Sequence, residues 1–212
     1  MTAQISPRSA FDTIRSLSAA RNGGQNCGVY LVKSKRSDTK YIEKRVNRRS
    51  IQEGYAQREV QAMFQCRNSP HIICIETWDL DYCRLGYGSI FMQRCELGSL
   101  DLLIERYARR RERLGDAGFL WKVIWDLSLA LCFLWIGTDA VTTRNRAAMG
   151  RSISVQPHWN HILHRDLKPA NIFLTWSNRM EADGCSFPTI VVGDLGCSVT
   201  DTDIRAGRAH PH

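Results

Sequence analysis

Apolar and polar positions change rhythm several times along the chain, and each change marks an element. Residues 1–20 read as a polar leader with a short helix around Phe11 to Leu17. From Val29 the pattern is that of β-structure: Val29 to Val32, a polar turn, then Tyr41 to Val46. Ile51, Tyr55 and Met63 then recur on a helical period. Ser50, with Glu53 three residues on, has the form of a capping box, so one helix over 51–65 with Ser50 as N-cap is predicted. Two strand-like runs follow, Ile72 to Trp78 and Ser89 to Met92. Cys95 to Leu100 reads as a connector, and Ser99 or Asp101 opens a helix to about Arg113. Phe119 to Trp135 is apolar on nearly every face and predicts a buried helix. A polar, aperiodic stretch (137–158) and a second one (176–187) precede the strand Thr189 to Val192. No internal repeat is present.

Composition narrows the class. A chain of 212 residues with 43% hydrophobic content can bury a core in one or two globular units. Lys122 and Asp126 interrupt the most apolar segment, which is short for a bilayer span. Residues 1–20 lack a continuous apolar stretch of signal-peptide type, so secretion is not expected. Eight cysteines show no C-x-x-C spacing and lie in apolar segments, which predicts reduced, mostly buried thiols in a cytoplasmic or nuclear protein. The net charge of +8 favours anionic partners, among them nucleotide phosphates, acidic peptides and nucleic acid. The run Arg106, Arg109, Arg110, Arg111 and Arg113 is interleaved with Glu105 and Glu112 and reads first as a solvated helix face, with a docking patch for an acidic substrate or nucleic acid as the alternative. Neither nucleic acid nor a membrane is therefore expected as a partner.

The most specific chemistry lies in His164-Arg165-Asp166-Leu167-Lys168-Pro169-Ala170-Asn171. Within this short loop stand a carboxylate able to act as a base, a cation and an amide able to hold a metal. The string matches the H-R-D-x-x-x-x-N catalytic loop at every fixed position, and the chain resembles a eukaryotic protein kinase. The Lys168 form is similar to serine/threonine rather than tyrosine kinases, and Pro169 to Leu174 is most similar to NIMA-related kinases. The resemblance implies an α+β, two-lobed fold with a β-rich small lobe and a helical large lobe. It implies ATP and Mg2+ as cofactors and a protein substrate with a Ser/Thr acceptor.

Residue by residue, the resemblance makes Asp166 the base for the substrate hydroxyl, Lys168 the cation for the transferring phosphoryl, and Asn171 a magnesium ligand. Asp194, in Gly193-Asp194-Leu195-Gly196, stands where the metal-binding Asp of D-F-G would be. Lys44 fits the strand lysine that contacts the α/β-phosphates, although Tyr41-Ile42-Glu43-Lys44 shares only the Lys with V-A-I-K. Glu59 is its expected helix partner and Glu53 the rival. Aligning Val29 with the Val of the Gly-rich loop puts Asn22, Gly24 and Cys27 on the three glycine positions, so only Gly24 is kept there. Met92 falls at the gatekeeper position, Gln93 to Cys95 at the hinge and Phe173 on the floor of the adenine site.

The implied organisation is a leader (1–20), a small lobe (21–95), a partial large lobe (96–198) with an insertion at about 137–158, and an atypical tail (199–212). After Gly196 there are sixteen more residues and no A-P-E sequence. Measured against the family, this implies either a continuation past residue 212 or a shortened form, with an apolar large-lobe surface for a protein partner to cover. The expected function is transfer of the γ-phosphoryl of Mg·ATP to a protein hydroxyl, impaired in the chain as it stands. The alternatives are a non-catalytic ATP-binding pseudokinase or scaffold fragment and, resting on charge alone, a nucleic-acid-binding protein.

Overall fold

The computed structural model describes residues 6–18, 26–176 and 186–208. The chain divides into two compact units, Met1–Phe64 with Cys74–Arg94, and Gln65–Ile73 with Cys95–His212. The α+β class expected from the sequence holds.

The first unit is built on a five-stranded antiparallel sheet, β1 (Phe11–Ser18), β2 (Asn26–Ser34), β3 (Lys40–Asn47), β4 (Ile75–Asp79) and β5 (Tyr87–Gln93), in the order β1-β2-β3-β5-β4. β1 stands where a short helix was expected. The three-residue spacing of Phe11, Ile14 and Leu17 mimics a helical stripe, yet only Phe11 is buried, and Ile14 and Leu17 face solvent. Pairing with β2, from Phe11 opposite Ser34 to Ser18 opposite Val29, decides the conformation.

The expected helix over 51–65 is two helices, α1 (Arg48–Gln52) and α2 (Tyr55–Gln65). Gly54 divides them at φ +77°, a conformation that costs glycine little and other residues much. The N-cap is Asn47, whose side chain accepts the Ser50 N–H at 2.7 Å, so Ser50 lies inside the first turn.

In the second unit, α3 (Leu100–Arg110) follows the short strand β6 (Gly98–Ser99) and is capped by Ser99. α4 (Ala117–Ile136) runs from its Asp116 cap to Gly137. The 137–158 stretch, expected to be irregular, contains α5 (Ala140–Ala148), capped by Asp139. Only Ala140 and Thr143 of that helix are buried, so no apolar period exposes it in the sequence. β8 (Ile172–Thr175) pairs with β6 on one side and β9 (Thr189–Val192) on the other. Residues 199–205, expected as part of an atypical tail, form β10 (Val199–Thr200), antiparallel to β7 (Ile162–Leu163), and α6 (Asp201–Arg205), closed by a Thr200/Asp203 capping box.

Phe119, Ile172, Leu174 and Ile190 form a core, backed by Leu97, Leu100 and Val123. α4 is buried on one side only, through Phe119, Leu129, Ala130, Phe133 and Leu134. Its other side exposes Trp121, Ile124, Trp125 and Trp135, correcting the expectation of a helix buried all round. By length and composition alone α4 could cross a bilayer. Its most buried polar residue, Asp126, instead bonds to β9, as described below. The cysteines also depart from expectation. All those described are free, but only Cys66 is buried, and burial pushes its thiol up to about 12. Cys83, in a turn, and Cys197, at the end of the 3₁₀ turn Leu195–Cys197, are exposed, and Cys185 lies outside the described residues.

Candidate active site

In the second unit, the loop between β7 and β8 carries the predicted catalytic residues. His164 is buried beneath it. Its Nδ1 accepts the Asp166 N–H at 3.2 Å, which fixes the tautomer whose Nε2–H donates to the Gly193 carbonyl at 3.0 Å. Pro169 opens a 3₁₀ turn that ends at Asn171. The Asn171 side-chain nitrogen donates to the Asp166 carbonyl and carboxylate, both at 2.9 Å, while the Asn171 main-chain carbonyl accepts the Gly193 N–H at 2.9 Å. One imidazole and one main-chain carbonyl thus tie the loop to the residue preceding Asp194.

Lys168 Nζ reaches both Asp166 oxygens, at 2.9 and 2.7 Å. This hydrogen bond, helped by Asn171, holds the Asp166 carboxyl below the usual carboxylate range, against partial burial and the neighbouring charge of Asp194. The same pairing holds the Lys168 ammonium above its usual range. Asp194 takes the left-handed conformation, φ 60° and ψ 68°, and the buried Leu195 anchors the turn after it.

β9 delivers Asp194 to this place and is held from three sides. β8 pairs with it along its length, and residues 71–73 form a parallel bridge on the other edge, with Val192 N–H to His71 O and Ile73 N–H to Val192 O, both at 2.8 Å. From α4, the Asp126 carboxylate accepts the Ile190 N–H at 3.0 Å and the Lys122 ammonium at 3.0 Å. His71 donates from Nδ1 to the Ile190 carbonyl at 3.1 Å. Sequence reasoning did not assign Asp126 and His71 this anchoring role. The available signal was a carboxylate retained in the most apolar segment of the chain.

Gly193 is set by space. A Cβ there would lie 2.7 Å from the Phe173 ring, closer than real contacts allow. Phe173 is on β8 and partly buried. Gly193→Ala is expected to displace this ring or tilt Asp194, costing about 1–3 kcal/mol by overpacking. Thermal melts of the variant would reveal it, and an unchanged midpoint would show that Phe173 swings aside.

In the first unit, strand register puts Val29 and Ile90 beside Lys44 and places Met92 opposite Ile42, so these side chains share one face of the sheet. Lys44 Nζ lies 2.7 Å from Glu59 Oε1, with the two side chains 11% and 4% exposed. Glu53 is set aside as the partner, because it pairs with Arg49 one helical turn away on the surface. Cys95 is partly exposed just beyond β5. The proposed Gly-rich loop, with Gly24, lies outside the described residues.

The chain matches no protein-family profile. It is similar to the G2-specific protein kinase nimA of Emericella nidulans, 29% identical over 113 residues, covering 51% of this chain and 15% of the relative. Serine/threonine-protein kinase Nek4 of Mus musculus is 28% identical over 176 residues, 79% of this chain and 17% of the relative. The mitosis inhibitor protein kinase SWE1 of Saccharomyces cerevisiae is 33% identical over 93 residues, 43% of this chain and 8% of the relative. The chain thus spans less than a fifth of the length of each of these relatives.

Proposed function

We propose that this chain, a relative of the NIMA-related serine/threonine protein kinases, transfers the γ-phosphoryl of Mg·ATP to a Ser or Thr hydroxyl of a protein. The observation that carries the reading is the convergence of Asp166, Lys168 and Asn171 in one hydrogen-bonded loop tied to the residue before Asp194. The donor chemistry fits magnesium. With its nitrogen committed to Asp166, Asn171 offers a carbonyl oxygen, and Asp194 offers carboxylate oxygens near the like charge of Asp166, a repulsion that a hard divalent cation would relieve. When bound, that ion would neutralise the charge on the phosphates.

In this reading Asp166 accepts the proton of the acceptor hydroxyl as its oxygen bonds to the γ-phosphorus and the bond to the β–γ bridging oxygen breaks, releasing ADP. Lys168 stands beside the base to neutralise charge on the phosphoryl in flight. Lys44, held by Glu59, provides the cation for the non-transferred phosphates, and Val29 and Met92 supply apolar surface on the same sheet face. A cytoplasmic or nuclear location accords with the free cysteines.

The test is incorporation of label from γ-labelled ATP into a Ser/Thr peptide mixture, with and without magnesium. Magnesium-dependent incorporation is expected. ATP binding without incorporation would replace the reading with a non-catalytic one, and no ATP binding would remove both. The pH dependence sharpens it. Because Lys168 stabilises the charged form of Asp166, the acid limb of the rate profile should lie below the ordinary Asp range. Lys168→Ala should move that limb to higher pH, and an unmoved limb would exclude Asp166 as the group it reports.

A further inference from the structure

The face of β3 opposite Lys44 holds a second buried ion pair. Glu43 is fully buried, and its carboxylate accepts the Ser89 hydroxyl at 2.7 Å and meets Arg8 Nε at 2.8 Å and Arg45 Nη2 at 3.1 Å. Arg8 comes from a 3₁₀ turn, Pro7–Ala10, just before β1. Its guanidinium is fixed by the Phe11 carbonyl at 2.8 Å and the Thr13 hydroxyl at 2.7 Å. The Phe11 ring stacks on Phe91 with centroids 4.3 Å apart and meets Tyr41 edge-on. Ser6 ties the start of this segment to Asp79 at the end of β4. Residues 6–11 therefore run across the back of the sheet as a strap from β1 to β4.

We infer that this strap is a positioning device for Lys44: Arg8, by neutralising Glu43, fixes the rotation of β3 that presents Lys44 to Glu59. The inference rests on the reading of Lys44 as the nucleotide lysine. Side chains 43 and 44 leave the same strand in opposite directions, so their orientations are coupled through one stretch of backbone. A carboxylate buried without a sufficient partner turns toward water, and the strand turns with it. Arg45 already bonds Glu43 in this arrangement, so its contribution is the same with or without Arg8. Its guanidinium already lies over the Tyr30 and Tyr87 rings, 3.8 and 4.6 Å from their centroids. Arg8 thus acts through Glu43 and touches no nucleotide.

The experiment uses the full chain with Arg8→Met, which keeps the stem without the charge, and Arg8→Lys, which keeps the charge. Two quantities are read, Mg·ATP affinity by calorimetry and the acylation rate of the Lys44 amine by mass spectrometry. Arg8→Met is expected to weaken ATP binding by about three- to tenfold, the lower part of the range for coupled neighbouring sites, and to speed acylation as the Glu59 pair loosens. Arg8→Lys should restore both, whereas a packing role alone would favour Met over Lys. Wild-type values for Arg8→Met would overturn the strap and leave the kinase reading intact. Absence of ATP binding in the wild type would instead sink the nucleotide role of Lys44. Acylation rates would then decide the strap, equal rates in all three proteins refuting it. If Arg8→Met does not melt cooperatively, Ser89→Ala, which removes one neutral donor from Glu43, should shift both readouts in the same direction by less, and no shift would overturn the inference.

Discussion

Asp166→Asn is expected to slow phosphoryl transfer by about two to four orders of magnitude, the usual contribution of a positioned general base, while nucleotide affinity changes little. The substitution keeps the shape and removes the charge. It also turns an amide toward two donors, Lys168 Nζ and Asn171 Nδ2, each now 2.7–2.9 Å from a carboxylate oxygen. The Asp166 side chain is 30% exposed, so the charge is not a foundation of the fold, and the melting midpoint should scarcely move. Single-turnover phosphorylation measured beside calorimetry separates the two effects. A variant that transfers at the wild-type rate would remove Asp166 from the chemistry.

The largest expected loss of stability comes from Asp126→Ala. Asp126 is 1% exposed, and removing it takes the carboxylate from Lys122, itself 11% exposed, and orphans the Ile190 N–H. Breaking a buried pair from one side costs about 3–5 kcal/mol, which for a chain of this size is roughly 10 °C in Tm. The double variant Lys122→Met with Asp126→Leu should recover part of the loss, because apolar replacement removes both charges of the pair together. Differential scanning calorimetry of the three proteins decides the matter. A double variant no better than Asp126→Ala would mean that the bond to Ile190 N–H, and not the ion pair, carries the cost.

What could be read from the sequence followed from how local each signal is. The catalytic loop is one contiguous string, and the bonds that join Asp166 to His164, Lys168 and Asn171 lie inside it, so that part of its hydrogen-bond pattern is nearly implicit in its spacing. β2, β3 and β9 could be read because their apolar runs are short and bounded by polar turns. The break between α1 and α2 hid behind a continuous helical period, and Gly54 was its one local mark. β1 was misread because its exposed Ile14 and Leu17 imitate a stripe that packs against nothing. The Asp126 anchor and the strap over Glu43 depend on pairs distant in sequence, Asp126 with Ile190 and Arg8 with Glu43, which no window of local pattern contains. The choice of Glu59 over Glu53 rested on position within the helix, and the surface bond from Arg49 to Glu53 gives it a physical cause.

The opposed neighbours on β3 also limit how this strand can change length over generations. Glu43 and Lys44 are adjacent and of opposite sign, so a slip of one residue would carry each of them to the other face of the sheet. An insertion in the polar turn between β2 and β3 leaves the frame of alternation untouched. Within β3, a slip of one residue would set Glu43 against Glu59 or, in the other direction, Lys44 against Arg8, unless a bulge absorbs it. A slip of two residues keeps the faces but puts Ile42 or Val46 in the place of Lys44, so change within this strand is expected to proceed by substitution and not by insertion or deletion.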